Sequence, residues 1–141
     1  MCIRDSIERH IENATKVARW LEANPQVEKV IWAGVESSPW YERAQKYLPK
    51  GPGAVLGFTL KDATLEQTRD FVDALKLHSN VANIGDVRSL VIHPASTTHS
   101  QLAAEELEKI GVYPNFVRLA VGIENIDDIL ADLQLGFDTL S

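Results

Sequence analysis

Ile7, Ile11, Ala14, Ala18 and Leu21 recur at helical spacing near the start of the chain, which predicts an amphipathic helix capped by Ser6. It should stop near Asn24, because Pro25 disfavours a helical conformation in the residue before it. Val27, Val30, Ile31 and Trp32 read as a short strand ended by Gly34, and Pro39 to Leu48 as a short helix. The run Pro49-Lys50-Gly51-Pro52-Gly53 breaks the chain. The apolar segment Ala54 to Leu60 that follows predicts a buried strand. Thr64 and Gln67 form a capping-box pattern, opening a helix with Leu65, Thr68, Phe71, Val72 and Leu75 on its inner face.

From His78 to His99 the pattern changes. Asn, Asp, Ser, Thr and Gly surround one brief apolar core, Leu90-Val91-Ile92, which predicts a strand between loops that present side chains. Thr98 with Gln101 is a second capping-box pattern, for a helix ending at Gly111. Val117 to Val121 alternates strictly, and Asn125 caps a last helix striped by Ile126, Ile129, Leu130, Leu133 and Phe137. Strands separated sometimes by a loop and sometimes by a helix predict an α+β fold. The expected sheet is small and mixed, mostly antiparallel, with helices packed on one face. Neither a Gly-rich dinucleotide turn nor a P-loop is present. The three tryptophans, Trp20, Trp32 and Trp40, lie in or beside amphipathic elements and read as core.

The 141 residues amount to one ordinary domain, and 14 Lys and Arg against 20 Asp and Glu give a net charge of −6. That balance argues against nucleic acid as a partner, since phosphate backbones demand clustered positive charge. No apolar run approaches the roughly 20 residues needed to span a bilayer. A single cysteine, Cys2, excludes an internal disulfide and suits a reducing compartment. With no basic-then-apolar leader, the expected location is the cytoplasm.

The candidate chemistry centres on Arg118. Val117, Leu119 and Val121 should face one side of their strand, putting Arg118 and the small Ala120 on the other. A guanidinium on a firm strand beside a small neighbour suits bidentate capture of a carboxylate. An ordinary exposed strand arginine fits the same pattern, and the strand does not decide between them. His93 and His99 flank Pro94 to Thr98 without a local Cys or acidic cluster to complete a metal site. Ser96, Thr97 and Thr98 have no evident base beside them. The segment Asn83-Ile84-Gly85-Asp86 reads as a turn or as a loop lining a ligand pocket.

Two longer stretches are more specific. Ser89-Leu90-Val91-Ile92-His93-Pro94-Ala95-Ser96-Thr97-Thr98-His99 resembles an SLxxHPASxTH motif, and Val117 to Glu124 resembles a VRLSVGIE strand. Both belong to the C-terminal part of the Cys/Met-metabolism family of pyridoxal-phosphate enzymes. The resemblance covers residues 7–141, implying the C-terminal small domain of a fold-type I enzyme with residues 7–24 as its lead-in helix. Residues 1–6 stand apart as an expected non-native junction. Within the family, Val81 to Leu90 looks most like the O-acetylhomoserine sulfhydrylases, which read ANxGDxxSL there. Arg88 stands where cystathionine γ-synthases and lyases carry a glutamate, which disfavours cysteine and suits a small anion such as hydrosulfide.

What the resemblance implies is a γ-replacement: O-acetyl-L-homoserine loses acetate, and sulfide adds at Cγ to give L-homocysteine. Cystathionine γ-synthase and methionine γ-lyase activities are the alternatives within the family, and a non-catalytic α+β ligand-binding or interaction module is the alternative outside it. By matching position, Arg118 is the expected clamp on the substrate α-carboxylate, with Asn83, Ser89 and Thr98 as further substrate-binding candidates. The Schiff-base lysine of the family follows a Ser/Thr motif that none of Lys16, Lys29, Lys46, Lys50, Lys61, Lys76 and Lys109 shows. The 141 residues alone are therefore expected neither to hold pyridoxal phosphate covalently nor to turn over substrate. As a full-length protein the expected assembly is a homotetramer.

Overall fold

The computed structural model of the chain describes residues 3–97 and 112–140. Thr98 and the helix expected between it and Gly111 lie outside the described residues. Helix α1 (Ile3–Ala23) leads into β1 (Val27–Ile31), the short α2 (Tyr41–Tyr47), β2 (Val55–Leu60) and α3 (Leu65–Ala74). A two-residue β3 (Ser79–Asn80), β4 (Leu90–Ile92), β5 (Phe116–Ala120) and α4 (Ile126–Asp138) complete the described elements. The sheet order is β1-β2-β5-β4-β3. Every pairing is antiparallel except that of β3 with β4. The fold is α+β with a mixed, mostly antiparallel sheet, as the spacing of elements predicts.

Strand alternation divides the sheet into two faces. Leu56, Phe58, Val91, Val117 and Leu119 enter one core with Val17, Leu21, Phe71, Leu133 and Phe137 from the helices. The rings of Phe58, Phe71 and Phe137 meet in edge contacts, Phe71 and Phe137 at 4.9 Å between centroids. The opposite face carries Gly57 and Arg118, directly paired across β2 and β5, and Ile92, which pairs with Arg118 from β4. A Cβ on Gly57 would lie 2.4 Å from the Phe116 ring, so only glycine leaves room for that ring beside Arg118. The box at α3 forms as expected: the Thr64 side chain accepts from the Gln67 N–H while the Gln67 side chain accepts from the Thr64 N–H.

The structure corrects three expectations. α1 begins at Ile3 rather than Ile7, and its buried stripe is rotated: His10, Asn13, Ala14, Val17, Ala18 and Leu21 are inside, while Ile7 is 43% exposed. Trp32 is buried and Trp20 packs edge-on against Phe137, but Trp40 is 56% exposed beneath the Arg43 guanidinium. β3 has no counterpart in the expected elements, because two polar residues carry no periodic signal.

Candidate functional site

Arg118 leaves the core as the alternation requires, since Val117 and Leu119 on either side are fully buried. Its guanidinium donates to the backbone carbonyl of Asn83 at 3.3 Å. Val81, Ala82 and Asn83 thereby roof a narrow cleft whose floor is Leu90, Ile92, Arg118 and Ala120. One bond occupies one of five guanidinium N–H donors. Among the described residues no carboxylate lies within ion-pair distance of Arg118. An anionic group approaching this guanidinium therefore meets a cation not already neutralised by an acid described here.

The structure brings Asn83 and Arg118 together, but through the Asn83 main chain. The Asn83 side chain turns back to accept from the Ile84 N–H at 2.8 Å. Gly85 adopts φ 78°, a left-handed turn that glycine permits without strain. Arg88 folds onto Asp86, and its backbone N–H bond followed by its side-chain bond holds that carboxyl below the usual range. Ser89 stands apart from the cleft lining. It is fully buried, its hydroxyl donating to Glu124 at 2.9 Å and accepting from the Gly122 N–H at 2.9 Å. Thr98, the fourth candidate, lies outside the described residues.

Several polar residues that the sequence reading passed over support this loop. Asp132, on the apolar face of α4, accepts from the backbone N–H groups of Lys76, Leu77 and His78 and from the His78 ring, all within 3.0 Å. Burial would raise that carboxyl, but the His78 ring and the three backbone donors more than offset it and hold it far below the usual carboxylate range. At the other end of β5, the His10 ring bonds to the Val121 carbonyl at 2.6 Å, and Asn13 donates to the carbonyls of Gly122 and Glu124. A buried acid within an apolar helical stripe, and polar residues in register with Val17 and Leu21, were the legible signals. His93 is buried, its ring bonded to the Pro114 carbonyl at 2.7 Å rather than turned to the cleft. Among the described residues no three His, Cys, Asp or Glu side chains converge as a metal site, and no helix is long and apolar enough to cross a membrane.

The family model for Cys/Met metabolism PLP-dependent enzymes matches residues 3–138, so the match begins upstream of residue 7. The O-acetyl-L-homoserine sulfhydrylase of Corynebacterium glutamicum is 56% identical over 131 residues, covering 93% of this chain and 30% of that protein. The O-acetyl-L-homoserine sulfhydrylase 1 of Thermus thermophilus is 50% identical over 127 residues, covering 90% of this chain and 30% of that protein. The chain thus spans about a third of the length of these relatives. A crystal structure of a putative O-acetylhomoserine (thiol)-lyase from Campylobacter jejuni, containing a pyridoxyl-lysine phosphate, superposes with a TM-score of 0.86. It is 40% identical, and the match covers 94% of this chain and 31% of that one. A cystathionine γ-lyase from Lactobacillus plantarum, complexed with L-serine, gives 0.83 at 29% identity, covering 95% and 34%. On the match from residue 3 to residue 138, the chain belongs to the Cys/Met metabolism PLP-dependent enzyme family.

Proposed function

We propose that the chain is the C-terminal part of an enzyme that exchanges the acetyl-ester group of O-acetyl-L-homoserine for sulfide, yielding L-homocysteine and acetate. The observation that carries this reading is the Arg118 guanidinium, fixed on β5 and opening onto the cleft under Val81 to Asn83. The identity to named O-acetyl-L-homoserine sulfhydrylases supports the reaction class. In this reading Arg118 grips the α-carboxylate through two parallel N–H bonds, and the Asn83 main chain sets the angle of the fork. Ser89 acts on the pocket through the segment it pins, and Thr98 remains a substrate-binding candidate. By matching position, Arg88 stands where relatives that take cysteine carry a glutamate, which favours a small anionic sulfur donor over cysteine.

The described residues do not fit the cofactor by themselves. The cleft is too narrow to admit even a water molecule and no lysine borders it, so a Schiff-base partner and a cradle for the phosphate must come from elsewhere in the enzyme. Pyridoxal phosphate supplies the electron sink in this family. The contribution proposed for these residues is to seat and orient the amino-acid end of the substrate. The homotetramer and the cytoplasmic location belong to the same proposal and rest on sequence resemblance and composition.

The test is Arg118→Ala in the full-length enzyme. Loss of a bidentate charge-assisted pair should raise KM for O-acetyl-L-homoserine about 10- to 100-fold, with KM for sulfide unchanged. Arg118→Lys, which keeps the charge and loses the fork, should fall between. An unchanged KM in both variants refutes the clamp, and formation of cystathionine from cysteine in preference to homocysteine from sulfide refutes the assigned reaction.

A further inference from the structure

Glu124 follows β5 by four residues and places both carboxylate oxygens on one residue of the opposing segment. One oxygen accepts from the Ser89 N–H at 2.6 Å, the other from the Ser89 hydroxyl at 2.9 Å. The same hydroxyl accepts from the Gly122 N–H, and the Ile123 N–H bonds to the Val87 carbonyl at 2.9 Å. The approach is so close that a Cβ on Gly122 would lie 2.4 Å from the Val87 carbonyl oxygen and 2.5 Å from the Ser89 nitrogen. From the helix layer, Asn13 donates to the Glu124 carbonyl at 2.9 Å and Arg9 approaches it at 3.5 Å. Glu124 is thus held by α1 through its main chain, and it holds Ser89 through its side chain.

Ser89 ends the loop that also meets β5 through the Asn83 carbonyl on Arg118. We infer that Glu124 is a positioning residue for the substrate carboxylate, keeping the Asn83–Ser89 loop docked on β5 so that the Arg118 fork is aimed into the cleft. It touches neither cofactor nor substrate and acts through Ser89 and the loop. This inference rests on the clamp proposed for Arg118. Without the carboxylate, the loop keeps one hydrogen bond at Val87, one from the Ser79 N–H to the Ser89 carbonyl, one from the Gly122 N–H to the Ser89 hydroxyl, and the Arg118 contact itself. Arg118 would then serve as a loop anchor at the cost of binding substrate.

Two measurements on Glu124→Ala test this. In the full-length enzyme, KM for O-acetyl-L-homoserine should rise about tenfold while kcat stays within about twofold. Glu124→Gln should recover most of the loss, because its amide oxygen still accepts from the Ser89 N–H and its NH₂ donates to the Ser89 hydroxyl. In the 141-residue chain, amide exchange at Ser89 and Ile84 should quicken about tenfold with Val117 and Leu119 unaffected. If Glu124→Ala prevents folding, Glu124→Asp, one methylene short of Ser89, is read in its place. An unchanged KM beside a raised KM in Arg118→Ala overturns the inference and leaves the clamp standing. An unchanged KM in Arg118→Ala overturns the clamp, and the inference with it. A uniform rise in exchange across β5, or a parallel fall of kcat that Glu124→Gln does not rescue, assigns Glu124 to general stability and also overturns it.

Discussion

Replacing Asp132 by alanine should cost far more than a surface carboxylate would. Its side chain is 5% exposed and accepts four bonds, three from the successive N–H groups of residues 76–78 and one from the His78 ring. In Asp132→Ala the His78 N–H and its ring N–H, both in buried contacts, lose their acceptor at about 1–3 kcal/mol each. The Lys76 and Leu77 donors sit in partly buried contacts that water reaches, so they add about 0.5 kcal/mol each. The total is about 3–7 kcal/mol. For a domain of this size that is a fall in Tm of roughly 10–30 °C.

The same carboxylate sets an acid limit. Its folded pKa is depressed from 3.8, so the unfolded chain takes up the proton first as pH falls. The contribution is therefore complete above the unfolded value and is lost as pH drops below about 4 toward the folded one. Urea unfolding of the 141-residue chain and of Asp132→Ala, at about pH 7, 5 and 2.5, reads both effects. A cost below about 1 kcal/mol at pH 7, or a cost that does not shrink between pH 5 and 2.5, refutes the reasoning.

Two further outcomes are expected of the same chain. Burial lowers the His93 pKa from 6.5, the Pro114 carbonyl opposes the shift and the Arg69 charge adds to it; the unfolded state thus binds its proton first, and stability should fall as pH drops below about 6.5. Urea midpoints at about pH 7.5 and 5.5 should differ less in His93→Gln than in the parent chain, and equal slopes would sink the assignment. Gly57→Ala should cost about 1–3 kcal/mol, because the new methyl displaces the Phe116 ring. Unchanged urea unfolding would mean that the ring does not rest on Gly57.

The parts of this structure legible in the sequence are those governed by short periods. The two-residue alternation through Val117, Arg118 and Leu119 is sufficient to send the guanidinium away from the core, and the spacing of Thr64 and Gln67 is sufficient for the box that opens α3. Contacts between remote segments were not legible. Nothing local distinguishes Asp132 from the exposed Asp127 and Asp128 except its place in the apolar stripe, and its partners lie more than fifty residues away. His10 and Asn13 fall outside the apolar period expected of α1, and they face inward because the carbonyls leaving β5 need donors from that helix. The resemblance picks out Asn83 without saying which of its atoms acts; the carbonyl makes the bond to Arg118, and the side chain is spent on the Ile84 N–H.

These remote contacts follow one scheme. The segment from Lys76 to Ser89 is fixed at its start by Asp132 of α4 and at its end by Glu124 beyond β5, each carboxylate accepting main-chain N–H groups from the segment. Between the two anchors Val81, Ile84 and Val87 are exposed, so apolar packing within the described residues contributes little to the middle of the loop. Its position depends instead on directional bonds at the ends and on Arg118 near the centre. Hydrogen bonds fix angle and register where apolar contact fixes only proximity. A loop proposed to set the angle of a guanidinium fork is therefore better held by two acids than by a greasy patch. The division of labour has a consequence for mutagenesis: substitutions at Val81 or Ile84 alter what the loop presents, whereas substitutions at Asp132 or Glu124 alter where it sits.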